Sequence, residues 1–94
     1  MEILENKTQE TLLILQEECA EVTQAISKVF RFGIEHRWPD DTSPSNKQKL
    51  EGEIGDLLCM IDILVEKAIL SDSNINSARQ RKREKLHKWS GIFK

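Results

Sequence analysis

Residues 46–70 read NKQKLEGEIGDLLCMIDILVEKAIL, and the architecture follows from this stretch. Asn46 is of a type that caps helices, and the residues after it predict a helix running to about Leu70. Its apolar positions, Ile54, Leu57, Leu58, Met60, Ile61, Ile63, Leu64 and Val65, spread almost all round. A helix that is apolar on most sides must be covered on most sides, so it belongs at the centre of a bundle. Glu53 and Asp56 fall on one side of it. With Asp56 at zero and about 100° per residue, Glu53 falls near 60°, flanked by Leu57, Met60 and Leu64.

A second acidic cluster stands upstream, in EECAE at 17–21. Thr8, followed by Glu10 in the first turn, predicts the start of a helix that runs to about Phe32 and ends at Gly33. Its apolar residues Leu12, Leu15, Val22, Ile26, Val29 and Phe30 recur at helical steps. With Glu21 at zero, Glu18 lies at about 60° and Glu17 at about −40°, in the sector of Ile14 and Ala25. The acids of both helices are thus expected on the apolar side. Like charges one turn apart repel, and burying several of them costs many kcal/mol unless they are protonated or bound to a cation. Oxygen ligands without thiolate or imidazole suit Mg²⁺, with Mn²⁺ as a substitute. A ferritin-like di-iron site needs Glu-x-x-His pairs, and neither His36 nor His87 stands in one. Neither histidine is assigned a role.

Between the two helices, Gly33 to Ser45 carries Pro39, Pro44, Asp40, Asp41, Thr42 and Ser43, which favour turns. Ser71-Asp72-Ser73 breaks the second helix and caps a third, about Asn74 to Lys88, with a tail containing Trp89, Gly91 and Phe93. No alternating strand pattern and no internal repeat is present. The expected fold is all-α: two long helices plus a third in a single domain spanning 1–94, with a four-helix core completed by dimerisation.

Ninety-four residues build only a modest core, and chains this short often gain stability by association. The net charge of −2 gives no overall basicity of the kind nucleic acid attracts. Cations nevertheless crowd the C-terminal quarter, at Arg79, Arg81, Lys82, Arg83, Lys85 and Lys88. The most apolar stretch, Leu57 to Val65, is broken by Asp62 and is too short to span a bilayer. No basic segment followed by an apolar one opens the chain, so the expectation is a soluble, cytoplasmic protein. Cys19 and Cys59 form no C-x-x-C and are expected as reduced, buried thiols.

The pair EECAE and EIGD resembles the E-E-x-x-E…E-x-x-D signature of all-α nucleoside triphosphate pyrophosphohydrolases, specifically the small MazG-like proteins of bacteria and bacteriophages. The similarity extends through LQEECAEVTQAISKVFRFG and NKQKLEGEIGDLL, and KREKLHKW looks like the basic third helix of such proteins. The resemblance implies Mg²⁺-dependent hydrolysis of (d)NTPs between the α- and β-phosphates, giving a nucleoside monophosphate and pyrophosphate. It implies Glu18, Glu21, Glu53 and Asp56 as metal ligands. Glu17 is an additional ligand or the water-orienting base, and which carboxylate, Glu17 or Glu18 among them, takes the proton is left open. The connection between Glu21 and Glu53 is longer than in compact members. Phosphoribosyl-ATP pyrophosphohydrolase, of the same superfamily, is an alternative, but its second motif characteristically continues to an aromatic-His pair where this chain reads LLCMID. The alternative of another class is a non-catalytic dimeric helical interaction protein whose acids form a polar layer.

The partners expected are a nucleotide and a second copy of the chain, as a homodimer or dimer of dimers, with no nucleic acid and no membrane. Lys28 and Arg31, two to three turns beyond Glu21, are candidates to meet the outer phosphates, although helix C-termini favour cations in any case. Arg79, Lys82 and Lys85 share one side of the third helix and are candidates to close over a triphosphate; a solvated basic face is the alternative. Trp38 is a candidate to stack on a nucleobase, although a hydrophobic anchor for the loop is the simpler reading, and Asn46 is most simply a helix cap, with an additional substrate contact left open.

Overall fold

The computed structural model describes residues 3–94 as three helices, α1 (Asn6–Phe32), α2 (Asn46–Glu66) and α3 (Asp72–Trp89). Among these residues no strand forms beyond an isolated bridge between Arg37 and Ser45. The all-α expectation holds. No helix is long and apolar enough to cross a membrane.

Helix boundaries depart from the expected ones where local hydrogen bonding decides. α1 begins at Asn6 with Glu5 as its N-cap, so Thr8 lies inside the first turn, its hydroxyl donating to the Glu5 carboxylate. At α2 the cap is Ser45 and not Asn46. The Ser45 hydroxyl accepts from the Gln48 N–H while the Gln48 side chain accepts from the Ser45 N–H, a reciprocal capping box. Asn46 is released from capping and turns inward.

α2 stops at Glu66, a turn short of Leu70, because Ala68 takes the left-handed conformation at φ 59°. The Ile69 N–H then bonds the Leu64 carbonyl and the Ala68 N–H the Val65 carbonyl, the Schellman pattern that satisfies helix-terminal acceptors. Ser71 caps α3 through the Asn74 N–H.

The connection between α1 and α2 is tied down throughout. Gly33, at φ 102°, ends α1 with its N–H on the Val29 carbonyl. Lys47 N–H bonds Ile34 and Asn46 N–H bonds His36, returning the chain to α2. The Asp40 carboxylate accepts from the backbone and hydroxyl of Thr42, bonds that hold its pKa below the usual carboxylate range. The Arg37 guanidinium donates to the Ser43 carbonyl at 2.6 Å.

α1 and α2 pack against each other along their lengths, and α3 makes no comparable pairing with either. Leu64 and Ala25 are the buried apolar side chains among the described residues. The radius of gyration is 16.8 Å, against about 12 Å for a compact chain of this length. Phe30, Ile54, Leu58 and Trp89 remain exposed. Cys19 and Cys59 are free, as expected, but exposed, because the chain alone does not cover the helix faces that carry them.

Candidate functional site

α1 and α2 bring the two acidic clusters face to face. Glu18 of α1 and Glu53 and Asp56 of α2 each present a carboxylate oxygen, and these oxygens lie within 4.8 Å of one another. Two oxygens held across a cation at ordinary bond lengths are about 4–5 Å apart, so the trio has the span of a single divalent site. Glu18 and Glu53 are half-buried and Asp56 is exposed. Burial pushes the Glu18 pKa up first, and the charges of Asp56, Glu53, Glu21 and Glu17 push it further in the same direction. Glu18 therefore stands within the field of all four other acids.

The acids occupy the rim of the α1–α2 packing and not an apolar interior. Glu17 and Glu21 are exposed. The expectation that the whole cluster faces inward is corrected to this extent: the acids share a sector with Ala25 and Leu64, but a single chain leaves that sector half open.

Glu21 and Glu53 border a small cleft of about 100 Å³ that also receives Lys28, Asn46 and Lys49. Those last three residues belong as well to a second cleft of about 340 Å³, whose remaining walls are Phe32, His36 and Trp38. The two spaces are thus neighbours with shared walls: carboxylates at one end, ammonium groups between, aromatic rings at the other. Phe32 and His36 stack with their centroids 5.5 Å apart, and the Arg31 guanidinium lies 4.9 Å over the Phe32 ring. Trp38, in a cis peptide bond to Pro39, is 70% exposed. A ring-walled cleft of this size fits a nucleoside, and flat side chains offer bases a stacking surface.

A family model described as the MazG nucleotide pyrophosphohydrolase domain matches residues 6–89. The chain belongs to the MazG family. No curated protein and no solved structure gives a significant match to it. Membership makes this MazG chain a nucleotide pyrophosphohydrolase in general terms, of a family that is typically divalent-metal dependent. An all-oxygen trio at 4.8 Å with a raised Glu18 pKa fits such an ion, because cation binding relieves the mutual repulsion of the carboxylates.

The cationic candidates of the MazG sequence separate in space. Lys28 lines both clefts, whereas Arg31 sits beside the rings on Phe32. Arg79 opens onto a different cleft, with Leu58 and Asp62 of α2. Lys82 borders a shallow depression on α3 with Leu86 and Phe93, and Lys85 is exposed. None of the α3 cations lines the cleft that Glu21 and Glu53 border.

Lys49, Phe32 and His36 are wall residues that sequence reasoning did not assign to the site, and Asn46, expected as a helix cap with a substrate contact left open, lines it with them. Lys49 stands one turn before Glu53 on the same helix face, a spacing that points to it. Phe32 and His36 carry no such signal, since only the returning loop brings their rings together.

Proposed function

We propose that the chain is a Mg²⁺-dependent nucleoside triphosphate pyrophosphohydrolase that splits (d)NTPs between the α- and β-phosphates. The observation that carries this reading is the convergence of Glu18, Glu53 and Asp56 within 4.8 Å in a chain of the MazG family. Glu18, Glu21, Glu53 and Asp56 hold the metal, with Mn²⁺ as a substitute. When bound, a divalent cation neutralises phosphate charge and acidifies a coordinated water.

The chain's own residues do the rest. Glu17, exposed beside Glu18 and outside the converged trio, orients the attacking water and takes its proton. Lys28, between the acids and the rings, meets phosphate oxygens. Arg31 reinforces the positive potential there from the Phe32 ring. Trp38 covers the base.

The open half of the site and the exposed Phe30, Ile54 and Leu58 support a second copy of the chain as the missing cover. Arg79, Lys82 and Lys85 reach the triphosphate only across such a pairing, from the partner copy. With the base at the rings, Lys28 and the acids lie along the α- and β-phosphates, an order that supports attack at the α-phosphorus, and the cations at the leaving end are those of α3 from the partner copy.

Hydrolysis of a (d)NTP panel with Mg²⁺ in ¹⁸O-labelled water tests the reading. Label is expected in the monophosphate and not in pyrophosphate. Orthophosphate as first product, or label in pyrophosphate, overturns it.

A further inference from the structure

The space shared by the carboxylate and ring clefts has an uneven hydrogen-bonding character. Lys28 and Lys49 present ammonium groups, which donate and cannot accept. Asn46 differs. It is only 4% exposed, and its Nδ2 donates to the carbonyls of Gly33 at 2.9 Å and Lys28 at 3.3 Å. Two carbonyl partners allow one orientation of the amide, because the flipped group would set Oδ1 against both carbonyl oxygens. The donors are spent on the end of α1. What Asn46 has left is an acceptor.

No hydrogen bond from the described residues reaches Oδ1, yet no buried side-chain oxygen among them lacks a partner. Oδ1 is therefore reachable from outside, and the spaces that Asn46 lines are the two clefts. The sugar is the part of a nucleotide that joins base to phosphates, just as Asn46 joins the ring-walled cleft to the acid-walled one. We infer that Asn46 Oδ1 accepts a hydrogen bond from a sugar hydroxyl of the bound nucleotide, making Asn46 a specificity-determining residue. This rests on the nucleotide reading above and adds the group that recognises the sugar. A neutral acceptor locked in one orientation rewards a ligand hydroxyl and leaves an unmatched oxygen when that hydroxyl is absent.

Calorimetric titration with α,β-imido triphosphates of one base, in ribo, 2′-deoxy and 2′,3′-dideoxy forms with Mg²⁺, tests the contact. Affinity is expected to fall about twofold to tenfold at the step that removes the contacted hydroxyl, and Asn46→Ala is expected to flatten the series. Should Asn46→Ala fail to fold, the wild-type protein supplies a second readout. Its Asn46 side-chain amide signal in a ¹H–¹⁵N spectrum is expected to move with the tighter ligands and not with those lacking the hydroxyl. Equal affinity across the three sugars overturns the inference, as does absence of binding. So does a cytosine-over-uracil preference without sugar dependence, which would put Oδ1 on a base amine. Pyrophosphate release from ordinary triphosphates is assayed separately. A sugar-dependent binding series without hydrolysis removes the catalytic reading and leaves the sugar contact standing.

Discussion

Glu18 carries the strain of the carboxylate cluster, being half-buried and within the influence of four other acids. Its pKa is raised in the folded chain, so near that value the native state binds more protons than the unfolded one and stability falls as pH rises. The contribution is fully present below the ordinary Glu value and is lost as pH climbs through the raised one. Thermal melts in a chelator from about pH 4 to 7 are expected to show this decline, and Glu18→Gln is expected to flatten it. Adding Mg²⁺ is expected to raise the wild-type melting temperature and to do little for the variant. Catalysis should respond in the opposite sense. Glu21→Gln and Asp56→Asn each remove an ionic ligand and are expected to cost at least about a hundredfold in rate while leaving the circular dichroism spectrum unchanged. Near-normal Mg²⁺-dependent turnover in either variant would sink the proposed site.

The helix ends are set by a few local devices, and these set the reach of each element. Ser45 caps α2 in a capping box, so Ser45→Ala is expected to lose about 1 kcal/mol in urea denaturation. Asn46 is thereby free to bond the last turn of α1, which fixes how the carboxylates of the two helices meet. At the other end of α2 the left-handed position is filled by alanine at φ 59° instead of the usual glycine. Ala68→Gly relieves that conformation and is expected to stabilise the chain by up to about 1 kcal/mol, with the Schellman bonds intact. A loss of stability in Ala68→Gly would mean that the alanine methyl is packed in the working assembly.

At the scale of the molecule, an extended chain with few buried apolar side chains is left with much of its hydrophobic surface uncovered. Self-association is the expected remedy. Sedimentation at micromolar concentration is predicted to show a dimer or larger species, and Phe30→Glu or Leu58→Glu to weaken it. A stable, well-folded monomer would remove the four-helix core and any contribution of the α3 cations to the site. The same experiment bears on Cys19 and Cys59, whose exposure in one chain is expected to become protection from thiol reagents where a partner covers them.

Much of this protein is determined by sequence alone. Periodicity is a local property, so the three helices, the turn-rich connection and the all-α class were legible, as was the pairing of EECAE with EIGD on helix faces. The MazG family was legible because its acids stand at fixed spacing within helices, where sequence distance converts directly into angle and rise. What crosses between elements was not. Only the tertiary structure selected Glu18, Glu53 and Asp56 as the trio within 4.8 Å, because that depends on how α1 and α2 pack. It moved the cap from Asn46 to Ser45, two adjacent residues with similar capping propensity, because the hydrogen bonds to Lys28 and Gly33 decide between them. It gathered Phe32, His36 and Trp38 around one cleft through the return of the loop, and it placed Arg79 and Lys82 on clefts other than the one Glu21 and Glu53 border. A helix face is written in the order of residues; the residue that faces it is chosen by the fold.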